Sequence, residues 1–112
     1  MEIIEKRENL TAIFQLNGRL DSNTSPEFDE KITSAIENGT NFIVVDCKTL
    51  DYITSAGLRI LNKTAKKLKK VDGKIVLCSM EDYVKEVFEI SGFDTFLPIV
   101  TDLEKALEKL KT

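Results

Sequence analysis

The sequence predicts an α/β fold: a mixed, mostly parallel sheet of about five strands with four helices, in the order ββαβαβαβα. Two short runs, residues 42–45 and 75–78, are apolar at every position, and longer stretches between them repeat their apolar residues at helical spacing. Runs of this kind are typical of central strands covered by helices on both faces. Strands joined by crossover helices pair in parallel, so most of the sheet should be parallel.

The chain opens with two strand-like segments that have no helix between them. Residues 2–8 and 10–17 are both interpreted as strands, and in the second one Ala12, Phe14 and Leu16 alternate with Ile13 and Gln15. The two strands are expected to pair antiparallel at one side of the sheet. Gly18 is expected to end the second strand. The segment SPEFDEKITSAIENG then predicts a helix: Thr24 and Glu27 have capping-box spacing, Pro26 suits a first turn, and Asn38-Gly39 is a stop signal.

The later elements follow the same reasoning. A lysine-rich helix is expected over 58–68, a strand over 75–78, a helix over 81–91 ending before Gly92, a short strand over 96–100 and a helix over 102–111. Pro98 has no N–H to donate to a neighbouring strand, so the strand that contains it should lie at an edge or be irregular.

Length and composition predict one globular domain over residues 1–112. The 42% hydrophobic and 31% charged residues are ordinary for a folded protein, and the net charge of -3 argues against a general nucleic-acid binder. No apolar run approaches the roughly 20 residues that cross a bilayer, and the N-terminus does not have the pattern of a signal peptide. We therefore expect a cytoplasmic protein with no membrane contact.

Catalysis and cofactor binding are not expected. The chain has no histidine, which excludes serine–histidine and cysteine–histidine nucleophiles and removes the commonest metal ligand. Neither nucleotide-binding glycine motif is present, and no cofactor or metal site is predicted. Cys47 and Cys78 match no zinc or redox spacing, so both are interpreted as buried, inert thiols.

The segment DYITSAGLRIL places a polar break where the chain passes from an apolar run into the second helix. Thr54 or Ser55 is expected to cap that helix, and Ala56 and Gly57 add almost no bulk beside the hydroxyls. Glycine here leaves room for another backbone or a partner to approach. A phosphate on such a hydroxyl would face the positive end of the helix, with Arg59 one turn away as a possible partner.

Three segments together carry a resemblance to a known family. They are LNGRLDSNTSPEF, FIVVDCKTLDYITSAGLRIL with its lysine-rich continuation, and KIVLCS. With these segments the chain resembles, over essentially its whole length, a single stand-alone STAS domain of the anti-sigma factor antagonist family. The family's central signature is an Asp-Ser-Ser-Gly-Leu-like turn, which reads Thr54 to Leu58 here.

The resemblance implies a protein that acts by binding a regulatory protein. The regulated serine falls on Ser55, and the implied partner is an anti-sigma factor that is also the serine kinase. The unmodified form would bind this kinase and so release a sigma factor, and a PP2C-type phosphatase would reset the cycle. Gly18, Asp21, Asn23 and Thr24 are implied to lie beside the Ser55 turn and to share its partner-binding surface.

Two alternatives remain open. Thr54 stands where the family usually has aspartate, and Ala56 where it has a second serine. A STAS scaffold or ligand-sensing module that is not phosphorylated is therefore also compatible with the sequence. The other alternative is a phosphoacceptor receiver domain with Asp46 as the acceptor, but the acidic pair and lysine that such a site needs are missing. Asp46 is interpreted instead as a strand-end residue that bonds nearby backbone.

Overall fold

The computed structural model describes residues 1–8 and 10–111, and within them the predicted fold class is confirmed. In chain order the elements are β1 (Glu2–Glu8), β2 (Thr11–Leu20), α1 (Ser25–Glu37), β3 (Phe42–Asp46), β4 (Leu50–Ile53), α2 (Ser55–Lys69), β5 (Lys74–Cys78), α3 (Asp82–Ser91), a 3-10 turn (Phe93–Thr95), β6 (Ile99–Val100) and α4 (Leu103–Leu110).

The sheet has the strand order β1-β2-β3-β5-β6. β1 pairs antiparallel with β2, as the sequence predicts, and the other pairs along this order are parallel. β6 lies at the edge and is only two residues long, which confirms the expectation drawn from Pro98. Within the described residues it pairs with Leu77 and Cys78, at the carboxyl end of β5.

The structure adds one strand, β4, to the predicted order ββαβαβαβα. β2 spans ten residues but β3 spans only five, so the carboxyl end of β2 extends beyond β3. β4 pairs there, with Gly18 opposite Leu50 and Leu20 opposite Ile53. Gly18 therefore does not end β2. It lies inside the strand at φ +111°, where the register of the pairing with β4 shifts.

The two faces of the sheet are covered unequally. Helices α1, α2 and α3 pack on one face, where their apolar residues form a continuous core with Ala12, Phe14 and Leu16 of β2. The rings of Phe14 and Phe28 meet edge to face, with centroids 6.0 Å apart. Helix α4 covers the other face, where Ala106 packs on Val44 and Val76. Both faces of the central strands are thus covered, as the apolar runs predict.

Local stop signals set the helix ends. Helix α1 ends at Glu37 with Asn38 as its C-cap, and α3 ends at Ser91 with Gly92 in the left-handed conformation at φ +80°. Each of these boundaries was predicted from the sequence. None of the helices among the described residues is both long enough and apolar enough to cross a membrane.

Candidate functional site

The Ser55 turn lies where β4 ends and α2 begins. Thr54 occupies the N-cap position with extended backbone angles (φ -109°, ψ 176°), and Ser55 is the first helical residue. Ser55 is exposed, and within the described residues its hydroxyl forms no hydrogen bond. The Thr54 side chain does not cap the helix either. The prediction that Thr54 or Ser55 is the cap residue is confirmed for Thr54 by its position, but the hydroxyl bond expected from a cap to the first-turn N–H groups of α2 is absent within the described residues.

Thr54 faces the interior while Ser55 faces solvent. The Thr54 amide donates to the carbonyl of Leu20 at 3.0 Å, which fixes the start of α2 beside the end of β2. The Thr54 Oγ1 atom is buried, and no hydrogen-bond partner for it is found in residues 1–8 and 10–111. An aspartate at this position would bring a charge into the same buried environment, so Thr54 changes the chemistry of the turn.

Gly57 is buried and serves packing inside the chain. A Cβ atom added there would lie 2.8 Å from Cγ of Leu20 and 2.9 Å from Cγ1 of Ile53. The close approach expected from this glycine is therefore made by two of the protein's own side chains, at the junction of β2, β4 and α2. Ala56 remains partly exposed next to Ser55, so the surface at the turn is small and open.

The loop after β2 is held rigid by its own hydrogen bonds. The Oδ1 atom of Asp21 accepts from the amides of Asn23 at 2.9 Å and Thr24 at 3.1 Å. The Thr24 hydroxyl donates to the carbonyl of Arg19 at 2.7 Å and accepts from the Asp21 amide at 2.9 Å. This is the Asx-type turn that such residues form. The predicted capping box of Thr24 and Glu27 does not form, because the Thr24 side chain bonds backward into the loop.

The same bonds set the charge of the loop. Donation from the Asn23 amide, together with the Thr24 amide and hydroxyl, lowers the pKa of Asp21 below its ordinary value of 3.8. Asp21 is therefore ionised at neutral pH. Because Leu20 bonds to Thr54, the loop that begins at Asp21 leaves the sheet directly beside the Ser55 turn.

Gly18 lies inside β2, before the loop that carries the other predicted residues of this segment. Its amide donates to the carbonyl of Thr49 at 3.0 Å, and Met1 lies beside its Cα. Gly18 allows the irregular pairing of β2 with β4, through which Leu20 reaches Thr54. The structure thus gives Gly18 a role in placing the site.

Arg19 and Tyr52 join this surface, although the sequence did not single them out. They are partners in the pairing of β2 with β4, and the Arg19 guanidinium lies 4.5 Å from the centre of the Tyr52 ring. The Arg19 Nε atom also lies 3.8 Å from the carboxylate of Asp21. Both side chains are substantially exposed. Tyr52 could be found only by recognising β4, which has no strand-like alternation.

The start of α2 presents the positive end of the helix dipole, with one basic side chain a turn away. The first turn of α2 has no acidic residue. Arg59, one turn after Ser55, is exposed and forms no ion pair within the described part of the chain.

Away from this turn, the Asp46 carboxylate accepts a hydrogen bond from the Lys48 amide at 3.1 Å, as predicted for a strand-end residue. Among the described residues, no group of three or more histidine, cysteine or acidic side chains is placed to hold a metal ion.

Both cysteines are buried, which confirms their interpretation as interior thiols. Burial raises the pKa of Cys47 far above its ordinary value and raises that of Cys78 to about 11. At neutral pH both are protonated and poor nucleophiles.

A family model for the STAS domain matches residues 3–106. The chain belongs to the STAS domain family. Its relatives include the Bordetella bronchiseptica protein BtrV, whose name assigns it to the anti-sigma factor antagonists. It is 38% identical over 97 residues, covering 87% of this STAS protein and 84% of the relative. The anti-sigma-B factor antagonist of Staphylococcus aureus strain NCTC 8325 is 29% identical over 85 residues, covering 76% and 79% of the two chains.

Solved structures confirm the fold of this STAS protein. The anti-sigma factor antagonist SpoIIAA in its unphosphorylated form matches with a TM-score of 0.85 at 23% identity, over 98% of this chain and 96% of that one. The Bacillus SpoIIAA structure in the phosphorylated form matches with a TM-score of 0.75 at 21% identity, over 96% and 98% of the two chains. At these identities the likeness concerns the fold.

Proposed function

We propose that this STAS protein is an anti-sigma factor antagonist switched by phosphorylation of Ser55. The unmodified protein binds an anti-sigma factor that is also a serine kinase, and so releases a sigma factor. Phosphorylated Ser55 no longer fits that partner, and a PP2C-type phosphatase restores the binding form. The protein acts by binding rather than catalysis, and it meets its ATP-dependent partner in the cytoplasm.

The exposure of the Ser55 hydroxyl at the start of α2 carries this proposal. Because Ser55 Oγ has no hydrogen bond within the described residues, a phosphate added there breaks no hydrogen bond among them. The added charge of about -1.5 to -2 lies at the positive end of a helix, where an anion is favourable. The fold is therefore expected to survive modification while the surface gains negative charge.

The proposed docking surface consists of the Ser55 turn and the loop beside it. Asp21, Asn23 and Thr24 form a rigid turn, and the bond from Thr54 to Leu20 keeps that turn next to Ser55. A preorganised surface loses little conformational entropy when a partner binds. Within this surface, Ala56 supplies a small neighbour that lets a kinase active site reach the hydroxyl.

The test is reconstitution with the cognate anti-sigma factor kinase and ATP. We expect the mass of one phosphoryl group on the wild type, mapped to Ser55 and absent from Ser55→Ala. Ser55→Asp should bind the kinase more weakly, whereas Ser55→Ala should bind stably. Ser34→Asp is the matched control, because Ser34 is an exposed serine on α1. A phosphate on another residue, or equal weakening by Ser34→Asp, would refute the proposal.

An unphosphorylated scaffold is the second candidate, and Thr54 is the observation that favours it. If the usual aspartate presents the serine to the kinase, a threonine with a buried hydroxyl does not supply that group. The scaffold reading expects a stable complex with the kinase and no modification after incubation with ATP. Thr54→Asp would then be expected to permit phosphorylation that the wild type does not undergo.

A further inference from the structure

A cleft of about 360 Å³ lies at the sheet edge formed by β5. β6 pairs with only the last two residues of β5, and in residues 1–8 and 10–111 no strand pairs with Ile75 and Val76 on this side. Pro98, directly before β6, has no N–H with which to extend the pairing, and it forms part of the cleft wall. The volume is in the range of small-molecule sites.

The cleft is apolar inside and basic around its opening. Ala65 of α2, Ile75 of β5 and Phe96 form its wall with Pro98. Phe96 is 59% exposed although its ring packs edge to face on Phe93. Among the described residues, the lining has no acidic side chain. It also includes three lysines, which are Lys69, Lys74 and Lys109.

We propose that this cleft binds an amphipathic organic anion, namely a carboxylate attached to an unbranched alkyl chain. The alkyl chain removes the exposed Phe96 ring and its apolar neighbours from water, which is favourable in proportion to the area covered. The carboxylate meets the ammonium group of Lys69 in a charge-assisted hydrogen bond. Lys74 and Lys109 also interact within the chain. Lys69 is therefore the cation on which the test is placed.

This site is separate from the Ser55 turn. Ser55 and Lys69 stand at opposite ends of the 15-residue helix α2, which places them about 20 Å apart along its axis. Ser55→Asp should therefore leave ligand affinity unchanged, and failure of the phosphorylation proposal would not affect this one.

The first experiment uses the full chain with two probes of equal chain length and opposite charge. Dodecanoate and dodecyltrimethylammonium are titrated below their micelle concentrations, with calorimetry and amide chemical shifts as readouts. We expect dodecanoate to bind, with shifts centred on residues 73–76 and 96–98, and the cation not to bind. Absence of dodecanoate binding, equal binding of both probes, or shifts centred on another surface would overturn the inference.

Paired charge reversals locate the site. Lys69→Glu should weaken dodecanoate binding at least about tenfold, because it removes a charge-assisted bond and adds repulsion. Lys48→Glu makes the same charge change at an exposed lysine beyond the carboxyl end of β3, whereas the cleft lies at the amino end of β5, and it should leave affinity within about twofold. Ala65→Phe fills the cleft without a change of charge and should also abolish binding. If Ala65→Phe lowers the melting temperature, Phe96→Ala replaces it as the test of the apolar wall, because it removes a ring that lines the cleft. Equal losses in the two lysine variants would mean a general charge effect and would overturn the assignment.

Discussion

Replacing Thr54 by valine separates two opposite accounts of the start of α2. The substitution keeps the branched shape of the side chain and exchanges the hydroxyl for a methyl group. Oγ1 of Thr54 is buried, with no hydrogen-bond partner in the described residues. A buried polar group left unpaired costs about 1–3 kcal/mol, so Thr54→Val should raise the free energy of unfolding, by about 1 kcal/mol. If the hydroxyl capped α2, the same change would instead lower it by about 0.5–2 kcal/mol.

Urea unfolding followed by circular dichroism measures this difference. A gain of about 1 kcal/mol corresponds to a rise in melting temperature of roughly 4–8 °C for a chain near this size. Thr24→Val is the matched control, because the Thr24 hydroxyl bonds to the backbone of Arg19 and Asp21. It should lose about 0.5–1.5 kcal/mol, the net contribution of a typical hydrogen bond, because these bonds are only partly buried. A loss of stability in Thr54→Val with an unchanged denaturant slope would refute the assignment of an unpaired hydroxyl.

Three further predictions follow from the same region. Because Ser55 Oγ forms no capping bond within the described residues, Ser55→Ala should unfold at the wild-type temperature. Ser55→Asp should raise the free energy of unfolding by about 0.3–1 kcal/mol through the helix dipole. A clear loss of stability in either variant, measured by thermal unfolding, would contradict this. Gly57→Ala improves helix propensity by at most about 1 kcal/mol but places Cβ 2.8 Å from Cγ of Leu20. The free energy of unfolding, measured in urea, is therefore expected to fall by about 1 kcal/mol. A net gain would mean that Leu20 can move aside. The pKa of Asp21 is lower in the folded state than in the unfolded chain. The ionised carboxylate therefore stabilises the fold at pH values above the unfolded pKa, and this contribution is lost as the pH falls through the lower, folded pKa. The stability difference between wild type and Asp21→Ala should accordingly shrink below about pH 4, and a constant difference would exclude the ionised loop.

The helices could be predicted because their determinants are local. Apolar residues of α1 and α2 recur every three or four positions, and Gly92 ends α3 within one turn. Strand β4 could not be predicted in this way. Its buried residues, Leu50 and Ile53, are separated by two exposed ones, and the strand exists because β2 extends beyond β3. Arg19 and Tyr52 were missed for the same reason, since only that pairing brings them together.

The sequence by itself determined that a serine stands at a strand-to-helix turn, next to small residues and within a family signature. Only the tertiary structure decided which of the two adjacent hydroxyls faces water. The bond from Thr54 to Leu20 turns the threonine hydroxyl into the interior, while Ser55 starts the helix on the outside. The tertiary structure likewise decided that Leu20 and Ile53 fill the space left by Gly57. The physical reason is that burial depends on contacts between segments distant in the chain, which the local pattern of residue types does not specify.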